Sequence, residues 1–180
     1  DLSIFFDDQK IIYLPKILSL VINQFWIVGI INAINWLDGI DGLAAGISLI
    51  SFVGYFVTAI HYQQFFNCLI LSSLIGTTLA FLKYNKYPSL IMMGDSGSYF
   101  YGFYLAILGL VTPINNLQNF QFFIPIIILF IPIADMVFVI ISRIFQKKSP
   151  FYPDKRHLHH RLMKIGFNSQ RTVLIIFMYF

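Results

Sequence analysis

Glutamate is missing from this chain, and all eight acidic residues are Asp. Charge of either sign is scarce, at 11% of 180 residues, where a soluble domain carries about a quarter. The single cysteine, Cys68, lies inside an apolar run. That excludes a disulfide framework and a thiolate metal cluster, and Cys68 reads as a small apolar residue. The first segment lacks a basic n-region and a small-residue cleavage site, which excludes a signal peptide. There is no internal repeat at a fixed period and no low-complexity tract, and no nucleic-acid partner is expected.

What remains is apolar. Hydrophobic residues make up 58% of the chain and the mean hydropathy is +0.76, in runs of roughly 20 residues, the length of a bilayer crossing. The expected fold is therefore all-α, a polytopic transmembrane helical bundle. Five complete spans can be drawn, near Leu14–Leu37, Leu43–Tyr62, Phe65–Leu82, Ser98–Val111 and Phe122–Ile144. A truncated sixth begins near Arg171. Interior Gly54, Gly76, Gly109, Pro125 and Pro132 are compatible with membrane helices, where neighbouring groups re-satisfy freed backbone. Asp1–Tyr13 reads as two short strands around a polar turn, a β-hairpin. With no initiating Met and a last apolar run too short to span, the 180 residues read as one membrane domain, a piece of a longer chain.

Orientation follows from the basic residues. Lys83 and Lys86 flank the connection after the third span. Arg143, Lys147, Lys148, Lys155, Arg156, Arg161, Lys164 and Arg171 belong to the connection after the fifth. These share one side, leaving only Lys10 and Lys16 on the other. The first side is expected to be cytoplasmic and the hairpin extracytoplasmic.

Four groups of polar residues stand out against this background. The first is Asn32-Ala-Ile-Asn35-Trp-Leu-Asp38-Gly39-Ile-Asp41-Gly42 at the cytoplasmic end of the first span. Glycines beside carboxylates allow close backbone approach to a ligand; the plainer reading is a polar turn that ends a helix. Asn32 and Asn35, one turn deeper, favour a function or bonds to other helices.

The second is Met93-Gly94-Asp95-Ser96-Gly97-Ser98 at the entry to the fourth span. A carboxylate opening a helix suits Mg²⁺ with phosphate, or serves only as an N-cap. The third runs from Ser149-Pro-Phe-Tyr-Pro-Asp154 through Arg156-His157-Leu-His159-His160-Arg161. Its histidines among basic residues make an anion-binding surface. Zinc is the rival, opposed by the neighbouring Arg residues and the lack of a completing acid cluster. A loop touching anionic headgroups accounts for Lys147 and Lys148 but not for the histidines.

The fourth is Asp135, about 12 Å deeper than Arg143 along a helix. An acid there is either functional or the buried partner of an Asn or Ser on a neighbouring helix. Asp7-Asp8 resembles a paired metal site, but one span separates it from Asp38, so it reads as a solvated turn.

Together these motifs resemble the polyprenyl-phosphate N-acetylhexosamine-1-phosphate transferases (glycosyltransferase family 4). The matching features are Asn-x-x-Asn-x-x-Asp-Gly-x-Asp-Gly-Leu-Ala at 32–44, Met-Gly-Asp-x-Gly-Ser at 93–98 and Pro-x-x-Asp at 132–135. Ser-Pro-Phe-x-Pro-Asp and His-Leu-His-His-Arg-Leu follow between 149 and 162. The histidine motif looks like the branch using simple UDP-N-acetylhexosamines. Arg161 stands where the UDP-muramoyl-pentapeptide branch has a run of histidines.

The resemblance implies transfer of an N-acetylhexosamine-1-phosphate from a UDP-sugar to polyprenyl (undecaprenyl) phosphate, releasing UMP. It implies an initiating step of cell-envelope glycan synthesis at the cytoplasmic face of a bacterial inner membrane. Asp38, Asp41, Asp95, His159 and His160 would be catalytic, with Asp95 and Asp41 holding Mg²⁺ (Mn²⁺ as the alternative). Asn32, Asn35, Asn85, Arg156, His157 and Arg161 would contact substrate, with Asn85 on the nucleoside and His159, His160 and Arg161 on the diphosphate. Membrane lipid is a further partner, and a homodimer is compatible.

The family's aspartate pair on an earlier helix has no counterpart here, so the isolated 180 residues are expected to be inactive. Met92 replaces an aromatic residue that can stack on uracil in many members. The competing readings are an ion-coupled transporter, which would place charges at the midplane in repeated halves, and a non-catalytic remnant of the family.

Overall fold

A computed structural model of the chain describes residues 3–7, 10–13, 15–112, 123–149 and 156–180. Two short strands, β1 (Ser3–Asp7) and β2 (Lys10–Tyr13), pair antiparallel with Phe5 opposite Ile11. Among the described residues eight helices follow: α1 (Lys16–Leu37), α2 (Leu43–His61), α3 (Phe65–Asn85), α4 (Gly94–Val111), α5 (Phe123–Ile128), α6 (Phe130–Phe145), α7 (Leu158–Lys164) and α8 (Ser169–Met178). Asp8, Phe122 and the Pro150–Lys155 stretch, with Asp154, lie outside the described residues.

Among the described residues, α1, α2 and α3 are long and apolar enough to cross a membrane. Five spans were expected, and the other two depart for identifiable reasons. The fourth, α4, has 18 residues but opens on the polar turn Gly94–Ser98. The fifth is not one helix: it breaks at Leu129 between α5 and α6. Pro132 has no N–H to give the Ile128 carbonyl, and its ring crowds that carbonyl, so the helix stops there and restarts. The sixth, α8, is ten residues long.

The core is built around α2, which packs on α3 and α4, while α1 packs on α4 and α6. Phe52, Tyr55, Leu71, Leu105 and Leu129 are fully buried there. Large apolar side chains on the outward faces of α1 and α3, such as Phe25, Phe65 and Leu69, are exposed, as lipid-facing positions are.

The α1–α4 seam fixes the site. A Cβ on Gly102 would lie 2.7 Å from the Ile31 Cα, so only glycine allows this approach of backbones. Above Gly102, Trp26 Nε1 donates to the Ala106 carbonyl at 3.0 Å; below it, Asn35 reaches Ser98. Three rungs hold the two helices in one register.

Candidate active site

The end of α1 and the start of α2 are joined by a five-residue turn, Asp38–Gly42. Gly42 takes φ +77° as the N-cap of α2, a left-handed conformation that suits glycine. The turn projects Asp38 and Asp41 beside the start of α4, where Gly94 has φ +64° and Asp95 stands in the first turn. An acid there is favoured by the helix dipole.

Asn35 Nδ2 donates to both Asp95 Oδ1 and Ser98 Oγ, each at 3.0 Å. Asp38 accepts from the Gly94 backbone N–H. Asp41 accepts from Ser89 twice, from its N–H at 3.1 Å and its hydroxyl at 2.9 Å. The three acids are thus gathered from two distant stretches of sequence. Burial raises the Asp38 pKa from its usual 3.8 to about 6, with the charges on Asp95 and Asp41 adding to it against the lowering from the Gly94 N–H.

Asn85 is buried, and both ends of its amide are engaged within the protein. Oδ1 accepts from Gly42 N–H at 3.2 Å and Nδ2 donates to the Ile91 carbonyl at 2.9 Å. It clamps the turn to the α3–α4 connection. Asn32, half-buried, donates back to the Val28 carbonyl within α1 at 2.8 Å. Met92 is exposed.

The histidines do not form the expected common anion-binding surface. His157 and His159 are buried. His157 Nδ1 meets Asp135 Oδ2 at 2.8 Å, and its ring stands 5.6 Å from that of Trp36. His159 is 1% exposed, and among the described residues neither ring nitrogen has a partner. Its Nε2 stands where a Cβ on Gly39 would be, so the ring rests directly on the acidic turn. Burial first, then the neighbouring His160 and His157, lowers its pKa from 6.5 to about 4, against the raising effect of Asp135. Held neutral at pH 7, its ring adds no positive charge to the segment.

His160, half-buried, packs against His159 with ring centroids 4.2 Å apart. Arg161 is exposed, with its guanidinium 4.5 Å from the Phe138 ring centroid. Arg161, with Lys164, remains as the cationic side of the segment. Arg156 is drawn onto α6 instead, donating to Ser142 Oγ at 2.7 Å and to Gln146.

Asp135, read from the sequence as either functional or the partner of an Asn or Ser, pairs with His157 and with the Leu158 N–H at 2.7 Å. Arg143, also buried, stacks 4.9 Å from the Trp36 ring centroid. That Asp135 serves the histidine segment was not read from the sequence. The signal was two polar residues 22 apart with no spacing rule to join them.

Among the described residues no three His, Cys, Asp or Glu stand close enough to enclose a metal. The acids present suit a hard dication that takes few protein ligands and keeps its other positions for phosphate and water. The like charges of Asp95 and Asp41, which add to the burial that raises the Asp38 pKa, are what such a charge would relieve.

Comparison with known proteins shows the family. Residues 1–113 match the model of glycosyl transferase family 4. The chain is 45% identical over 153 residues to a probable undecaprenyl-phosphate N-acetylglucosaminyl 1-phosphate transferase of Bacillus subtilis, covering 85% of this chain and 43% of that protein. It is 33% identical over 187 residues to a decaprenyl-phosphate N-acetylglucosaminephosphotransferase of Mycobacterium leprae, covering 93% of this chain and 47% of the relative. To a phospho-N-acetylmuramoyl-pentapeptide-transferase of Enterococcus hirae it is 45% identical over 95 residues, covering 53% of this chain and 28% of that protein. The chain spans less than half the length of these relatives. With the family model covering well over half of it, the chain belongs to glycosyl transferase family 4.

Proposed function

We propose that the protein carrying this chain transfers an N-acetylhexosamine-1-phosphate, with N-acetylglucosamine as the first sugar to test, from its UDP derivative to a polyprenyl phosphate. A phosphate oxygen of the lipid attacks the sugar-bearing phosphorus of the UDP-sugar. The new P–O bond forms as the bond to the bridging oxygen breaks, and that electron pair leaves with UMP. The observation that carries this reading is the convergence of Asn35, Asp38, Asp41 and Asp95 at one end of the bundle, with His159 resting on Gly39. The 180 residues act as one membrane domain, and the active end faces the cytoplasm, where most of the basic residues gather.

Phosphoryl transfer depends on positioning and charge neutralisation more than on covalent help from the protein. Asp95 and Asp41 would hold Mg²⁺, or Mn²⁺ in its place, which supplies neutralisation of the diphosphate. Asn35 holds the Asp95 carboxylate in place from α1. Ser89 orients Asp41 from the α3–α4 connection. Arg161 and Lys164 would supply positive charge toward the leaving UMP, with His160 beside them. The apolar outer faces of α1 and α3 keep the site at the depth where the lipid phosphate lies.

The test is radiolabel transfer from UDP-N-acetylglucosamine to polyprenyl phosphate by the full-length protein, with and without Mg²⁺. Asp95→Asn should lower the rate by about a hundredfold or more. Unchanged activity in that variant would remove Asp95 from the metal site.

A further inference from the structure

The stripe of α6 that faces inward carries Asp135, Val139 and Arg143 at spacings of four, with half-buried Ser142 beside it and exposed Gln146 just past the helix end. Each of these polar residues holds the segment leading into α7 or its neighbour Trp36. Asp135 takes His157, Ser142 and Gln146 take Arg156, and Arg143 lies over Trp36. The proposed transfer chemistry uses none of these contacts.

Asp135 is the strongest of them. Both of its oxygens are engaged: Oδ1 accepts from the Leu158 N–H at 2.7 Å and Oδ2 meets His157 Nδ1 at 2.8 Å. Both Asp135 and His157 are at 7% exposure. An ionised carboxylate only accepts hydrogen bonds, so the positioning proposed below has His157 Nδ1 as the donor to Asp135. The same carboxylate takes the first N–H of α7, so it sets where that helix starts and how it is rotated. The next residue, His159, lies against Gly39, the neighbour of Asp38.

We propose that Asp135 is a positioning residue: through His157 and the Leu158 N–H it sets the α7 segment against the acidic turn in the arrangement that transfer needs. The inference deepens the transferase reading and rests on it for its rate measurements. A residue that only stabilised the fold would lower the amount of folded protein. A positioning residue lowers the rate of folded protein, and does so through one named partner.

The experiment compares Asp135→Asn, His157→Ala and the double variant in the full-length protein. Each single variant should lose roughly a hundredfold in kcat, with KM for the UDP-sugar little changed. The double variant should lose no more than the worse single one, because removing either partner already frees the other. Losses that multiply, or an Asp135→Asn protein at the unmodified rate, would overturn the proposal. If the unmodified protein transfers no sugar phosphate at all, the functional reading fails by itself. Nitrogen NMR of ¹⁵N-histidine-labelled protein then decides the inference. A proton on His157 Nδ1 that loses its protection from exchange in Asp135→Ala supports it, and an unprotonated Nδ1 in the unmodified protein overturns it.

Discussion

At the scale of single residues, two groups at the site titrate away from their usual values in opposite directions. His159 binds its proton only near pH 4 in the folded chain, against 6.5 when unfolded. As pH falls through that interval the unfolded chain takes up a proton that the folded one does not, so stability is lost. Asp38, raised from 3.8 to about 6, does the reverse: the folded chain keeps the proton longer, so stability is lost as pH rises through that interval. The two partly cancel between pH 4 and 6. Thermal melting against pH should therefore steepen on its acid side in Asp38→Asn, which leaves the histidine effect alone, and flatten in His159→Phe. An acid limb unchanged by His159→Phe would show that the ring is not held neutral on the turn. The grouping of Asn35, Asp38, Asp41 and Asp95 was legible because carboxylates beside glycines at helix ends announce themselves by type and spacing. Which histidine is buried was not legible. Three histidines in four positions look alike until the helix they begin is rotated against a neighbour.

At the scale of elements, the site depends on one seam. Ser98, Gly102 and Ala106 recur every four residues along α4 and meet Asn35, Ile31 and Trp26 of α1. This is the small-residue stripe by which membrane helices approach closely, and it could have been read from the sequence as the α1–α4 contact. Gly102→Val should force the helices apart, costing about 1–3 kcal/mol as an overpacked contact. It should also draw Asn35 off Asp95, lowering transfer by tenfold or more (roughly, for a displacement near 1 Å). Melting temperature and transfer rate measured together check both; a variant that loses stability but not rate would detach the seam from the chemistry. The three strongly apolar spans were plain from hydropathy alone. The broken fifth was not, because Pro132 is compatible with a kinked continuous helix as well as with a restart, and only the packing around Leu129 chooses between them.

At the scale of the whole molecule, the chain carries one wall of a site within less than half the length of its relatives. The isolated 180 residues should release no UMP from UDP-N-acetylglucosamine and polyprenyl phosphate, while the full-length protein does. Measurable release from the isolated piece would mean that these acids suffice by themselves. The way that wall is fastened has a consequence of its own. The α3–α4 connection is tied to the acidic turn by three hydrogen bonds, from Gly42 to Asn85 and from Ser89 to Asp41. Most of the rest of the bundle is held by apolar contact that detergent or lipid can imitate, whereas these bonds compete only with water. The floor of the site is therefore the part that urea, rather than a harsher detergent, would dissolve first, leaving an intact set of helices around a slackened hinge.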